Sequence, residues 1–143
     1  MHSFEVKGGK KLAGEIIPQG AKNEALQIIS AVLLTPEKMT ITNIPDIIDV
    51  NLLIELLGEM NVKVERTSRN TCTFQAGTVN IDYLHSEAYK MKSGKLRGSV
   101  MLAGPMLARF KKAFIPKPGG DKIGRRRLDT HIIGFEKLGA SFT

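Results

Sequence analysis

The chain has no tryptophan, two tyrosines and one cysteine among 143 residues. One cysteine excludes an internal disulfide, and with three scattered histidines it forms no cluster of zinc-ligand spacing. A lone thiol suits a reducing compartment. No apolar run approaches the ~20 residues that span a bilayer. The opening "MHSFEVKGGK" lacks the apolar core that follows the charges of a secretory leader. Locally, acid is scarce as well. Between Lys90 and Arg127 stand twelve Lys/Arg and a single acid, Asp121, a local excess of +11. The whole chain carries +7, so the remainder is acidic at −4.

What is present is the composition of one soluble domain, 42% apolar and 24% charged. Its basicity belongs to one region, which suits nucleic acid, an anionic membrane surface or small phosphorylated ligands. Single-strand binders interleave aromatics with their cations, and here only Phe110 and Phe114, with Tyr89 at the edge, could serve. No zinc-finger or RNP-type motif appears. Nucleic acid is therefore disfavoured, and small polyanions lead.

Periodicity gives an α/β chain. "GEIIP" (14–18) reads as a short strand, and residues 20–34 as a helix with Ala25, Leu26, Ile29, Val32 and Leu33 at helical spacing. "MTITNI" alternates like a strand. Residues 45–60 form an amphipathic helix with Ile48, Leu52, Leu56 and Met60 in one row and Leu53 and Leu57 beside it. "VKVE" and "CTFQA" form a hairpin whose Cys72, Phe74 and Ala76 share a face, giving Cys72 a core rather than a catalytic role. Residues 77–91 are less regular. Residues 94–110 read as one helix bent at Pro105, "KAFIP" as a strand, 118–126 as a loop, 127–138 as a helix, and "ASFT" as the start of a strand. At an offset of 78 residues, Ile54, Leu57, Met60, Val62 and Val64 correspond to Ile132, Phe135, Leu138, Ala140 and Phe142. The second copy stops within its hairpin, which implies part of a longer protein.

Three basic places could carry chemistry. Lys22 and Asn23 stand at a helix start after Gly20, where free N–H groups and the dipole favour anions; Asn23 could equally be a cap. Arg97 lies between Gly94 and Gly98, which leave room for a ligand, and could equally be a solvated arginine. Pro118-Gly119-Gly120 turns the chain toward Arg125–Arg127, whose guanidinium forks suit phosphate or carboxylate. Asp121 within that loop is either a surface counter-charge or a group held for chemistry. Asp129 and His131 follow in a helix's first turn, where Asp129 also complements the dipole. Together the clusters point to a polyanionic small ligand.

The motifs "GAKN", "PGGDxIGxR" and "DTHIxGxExLGA" closely resemble the UDP-N-acetylglucosamine 1-carboxyvinyltransferases of the enolpyruvyl transferase family. The resemblance covers nearly all of this chain but only about the N-terminal third of such an enzyme. It implies a fold of βαβαββ units in an inside-out α/β barrel, one unit complete and one truncated here. Residues 1–20 would pack with a second domain and residues 21–143 would begin the catalytic domain. It implies a cytoplasmic enzyme of peptidoglycan precursor synthesis, without metal or organic cofactor. That enzyme moves the enolpyruvyl group of phosphoenolpyruvate to the 3′-hydroxyl of UDP-N-acetylglucosamine and releases phosphate.

By that resemblance Lys22, Arg97 and Arg126 surround phosphoenolpyruvate, Asn23 contacts the sugar nucleotide, and Arg126, Arg127, Leu128, Asp129 and Thr130 match the segment at the uridine end. Asp121 stands where many members have a cysteine and would be the general acid that protonates the methylene carbon. Lys122 and the arginines favour its ionised form, whereas the bound trianion favours the protonated one. A carboxylate is a poor nucleophile toward an epoxide, so the resemblance also implies fosfomycin resistance. Arg127 replaces a common proline, and Met101 a frequent tryptophan. The aspartate that deprotonates the sugar would lie in the rest of the enzyme, so the 143-residue chain alone should be inactive. Two alternatives stand: a non-catalytic fragment or truncated homologue that only binds anions, and the related enolpyruvylshikimate-phosphate type of transferase.

Overall fold

Apolar spacing, turn residues and two interrupted helices account for the architecture. The computed structural model describes residues 3–115, 119 and 127–143. The elements are α1 (Lys22–Ala31), a single 3-10 turn (Val32–Leu34), β1 (Lys38–Ile41), α2 (Ile48–Glu59), β2 (Lys63–Ser68), β3 (Thr71–Gln75), α3 (Glu87–Lys95), α4 (Ala103–Phe110) and α5 (Asp129–Lys137). Further 3-10 turns occupy Asp82–His85 and Arg97–Leu102.

The strands form an open antiparallel sheet ordered β1-β3-β2. Met39 pairs with Phe74 and Ile41 with Cys72 on one side, and Val64 with Phe74 on the other. Cys72, Phe74 and Ala76 are fully buried, as the period-two pattern requires. Burial pushes the Cys72 thiol pKa up, which keeps it an unreactive core group. On the opposite face, the Thr40 and Thr73 hydroxyls lie 3.2 Å apart.

One core joins α1, α2, the sheet and the segment from α3 to α4. Ile29, Leu33, Val50, Leu53, Leu56, Leu57, Met60, Phe74, Leu84, Tyr89, Leu96, Leu102 and Met106 are among its buried members. The buried side of α2 differs from the row read from sequence. Ile48 is 84% exposed, and Val50 and Ile54 are buried instead. Ile48 sits in the first turn, outside the packed length of the helix, and lines an open depression with Lys22 and Asp49.

Residues 94–110 are not one bent helix. Ser86 caps α3 by accepting from the Tyr89 N–H, so that helix begins inside the stretch read as irregular. Leu96 is extended and ends it, and Arg97–Leu102 make 3-10 turns. Pro105 falls in the first turn of α4, where its missing N–H has no intrahelical partner to lose. The strands expected at 14–18, 112–116 and 140–143 are absent among the described residues: a strand needs a ladder partner, and none is there.

α2 and α5 end alike. The N–H groups of Asn61 and Val62 bond the carbonyls of Gly58 and Leu57, and those of Gly139 and Ala140 bond Glu136 and Phe135. Asn61 (φ 66) and Gly139 (φ 94) take the left-handed position. Both are Schellman ends, spaced by the same 78 residues as the sequence correspondence. No described helix is long and apolar enough to cross a membrane.

Candidate functional site

Gly20 admits the chain to α1 at close quarters with a neighbouring turn. A Cβ on Gly20 would lie 2.0 Å from the Asn43 carbonyl oxygen, and Asn43 is itself left-handed (φ 56). The Ile44 N–H then bonds the Asn70 carbonyl, which ties that turn to the β2–β3 hairpin. The helix start carrying Lys22 and Asn23 is thereby fixed to the sheet. The capping position is Ala21, with no side-chain cap, so Asn23 lies inside the helix and does not cap it.

α2 supplies the facing wall. The Lys22 ammonium donates to the Asp49 carboxylate at 2.7 Å, joining the first turns of α1 and α2. Beside it, the Asn51 amide bonds Asp46 at 2.9 Å and accepts from Arg66. That Asn51 bond, with Arg69 and Arg66 nearby, holds the Asp46 carboxyl below its ordinary pKa.

The third wall is the 3-10 turn after α3. Lys92 of α3 bonds both Glu55 and Glu59 of α2, and Tyr83 donates to Glu59 at 2.5 Å. The two carboxylates raise the Lys92 pKa, and Lys92 followed by Tyr83 lowers that of Glu59. Across the break, the Ser99 hydroxyl donates to the Ser93 carbonyl at 2.8 Å. Arg97 is therefore held between two anchored ends. Gly98 brings the turn against α1, since a Cβ there would lie 2.8 Å from Leu26 Cδ1.

These walls enclose a cavity of about 310 Å³ lined by Lys22, Asn23, Leu26, Gln27, Asp49, Arg97, Gly98 and Met101. Two cations, two amides and one carboxylate converge on it, a set able to hold a small anion with further oxygens for hydrogen bonding. Lys22, Asn23 and Arg97, 75 residues apart from first to last, meet here. Asp49 and Gln27 belong to the same cavity and were not read from sequence; the "DVN" start of α2 carries no local motif. Arg127, Leu128, Asp129 and Thr130 do not line it. They begin α5 at the surface, where Arg127 pairs with Asp129 at 3.6 Å. Asp121 and Arg126 lie outside the described residues. Gly119 is described: its Cα leaves no room for a side chain, because a Cβ would meet the Gly94 carbonyl oxygen at 1.8 Å. That contact sets Gly119 against the end of α3, at Gly94, three residues before Arg97. Among the described residues, no group of three or more His, Cys, Asp or Glu could hold a metal ion.

A mixed α/β chain with this lysine- and arginine-lined cavity belongs to the EPSP synthase (3-phosphoshikimate 1-carboxyvinyltransferase) family, whose model matches residues 6–143. Within it, the similar curated proteins carry a narrower name. UDP-N-acetylglucosamine 1-carboxyvinyltransferase of Porphyromonas gingivalis is 61% identical over 99% of this chain and 32% of that relative. The protein of that name from Bacteroides fragilis is 60% identical over all of the chain and 33% of its own length. The one from Borreliella burgdorferi is 40% identical over all of the chain and 32% of its length. The chain thus spans about a third of the curated relatives it matches.

Proposed function

We propose that the chain is the N-terminal part of a cytoplasmic transferase of peptidoglycan precursor synthesis. That enzyme moves the enolpyruvyl group of phosphoenolpyruvate onto the 3′-hydroxyl of UDP-N-acetylglucosamine with release of phosphate. The observation that carries this is the convergence of Lys22, Asn23 and Arg97 on one cavity. Phosphoenolpyruvate brings about three negative charges and the nucleotide about two, which complement the basic Lys90–Arg127 region.

In this reading Lys22, Arg97 and Arg126 neutralise phosphate and carboxylate, and Asn23 contacts the sugar nucleotide. Arg127 through Thr130 approach its uridine end. Asp121 gives its proton to the methylene carbon as the sugar oxygen, deprotonated by an aspartate in the rest of the enzyme, adds to the adjacent carbon. The resulting methyl then gives up a proton as phosphate leaves, which restores the double bond. No metal or organic cofactor takes part. Residues 1–20 pack against a second domain, and 21–143 open the catalytic domain as one complete and one truncated βαβαββ unit of an inside-out barrel. Two features support that arrangement. α2 and α5 share their cap geometry at the 78-residue spacing, and Phe4, Val6, Leu12, Ile16 and Ile17 are 84–97% exposed. The strands at 14–18 and 140–143 then form once partners are present.

The test is phosphate release by the longer polypeptide. Turnover with UDP-N-acetylglucosamine, none with shikimate 3-phosphate, loss in Asp121→Asn and no covalent inactivation by fosfomycin are expected. Turnover with shikimate 3-phosphate would assign the sister reaction. No turnover with either acceptor would leave an anion-binding homologue.

A further inference from the structure

Lys22 ends in a compact ammonium on a flexible four-carbon stem, so its chain does not fix its direction. Leu26 and Met101, which line the same cavity, are apolar and cannot orient an N–H group. The 2.7 Å bond to Asp49 can. Asp49 is the second residue of α2, where the helix dipole favours a carboxylate, and α2 is buried through Val50, Leu53 and Leu57. The neighbouring acid, Asp46, is already engaged by Asn51 at 2.9 Å and Arg69 at 3.7 Å. Asp49 is therefore the acid that faces Lys22.

We propose that Asp49 is a positioning residue, which spends one N–H of Lys22 so that the other two point into the cavity at the anion. This rests on the reading of the cavity as the phosphoenolpyruvate site. Both side chains are close to half exposed, 48% and 41%, and an ion pair of that kind contributes little to folding stability. Its acidity is also counter-productive for simple attraction, since it lowers the positive potential of an anion site. The two effects have opposite signs, which makes the role measurable.

The experiment is calorimetric titration of the longer polypeptide with inorganic phosphate and with phosphoenolpyruvate, alongside thermal melting. Asp49→Ala should bind both anions about tenfold more weakly, although it gains net positive charge. Asp49→Asn, which keeps an acceptor, should recover part of the loss, and the melting midpoint should stay at the wild-type value. Tighter binding in Asp49→Ala would show a mere opposing charge and overturn the proposal. Unchanged binding, or weakening that tracks a fallen midpoint, would do the same. Wild-type binding without turnover would fail the transfer reading alone, whereas no anion binding in the wild type would fail both.

Discussion

Gly20 illustrates how a residue without a side chain positions the ones that act. Its backbone passes the Asn43 carbonyl so closely that any Cβ meets oxygen at 2.0 Å. The obstructing atom belongs to the backbone of a turn bonded to the hairpin, so it cannot rotate away. Gly20→Ala should lower stability by about 1–3 kcal/mol, as overpacking does, and weaken anion binding by shifting the start of α1. Thermal melting checks the first part, and a wild-type midpoint would contradict it. In the sequence Gly20 marked only a helix start. Lys22 and Asn23 were singled out in the sequence by helix-start chemistry and the GAKN motif, and Arg97 by the glycines beside it; the cavity brings the three together. Asp49 was not, because its partner lies 27 positions away and an ion pair across two helices leaves no periodic trace.

Among the elements, the hairpin was the most readable, because strict alternation at Cys72, Phe74 and Ala76 admits one face only. α3 was the least. "EAYKMKSGK" offers Tyr89 as its buried aromatic and little apolar periodicity, and its start depends on one Ser86 cap. Tyr89 is fully buried, donates to the Phe114 carbonyl at 3.2 Å and has its pKa pushed up to about 12, chiefly by burial. The folded state thus holds this proton more tightly than the unfolded chain, whose tyrosine titrates near its ordinary value of about 10. Its contribution is fully present below pH 10 and falls as pH rises toward 12, a loss on the order of 2–3 kcal/mol. Denaturant melts of wild type and Tyr89→Phe between pH 9 and about 11.5 isolate it from lysine titration. The wild type should lose stability more steeply, and parallel slopes would contradict this.

At the scale of the molecule, the core around α1, α2 and the sheet coexists with an apolar surface at residues 3–17 and around α5. Ile133, Leu138 and Phe142 are exposed there, and α5 has no buried residue. Alternation and helical spacing predicted strands and burial for these segments, but a strand and a core both need something on the other side. The chain spans about a third of its curated relatives, and these are the surfaces the proposed second domain and barrel would cover.

The central claim is that the cavity charges, rather than overall basicity, bind the transferred group. Steady-state kcat/KM for phosphoenolpyruvate in the longer polypeptide tests it, comparing Lys22→Met and Arg97→Met with Lys38→Met on the exposed face of β1. The first two should fall by about 100-fold or more, as loss of a charge-stabilising donor does. Lys38→Met should stay within about twofold, since an exposed charge outside the cavity is screened. Equal losses in all three would contradict the account.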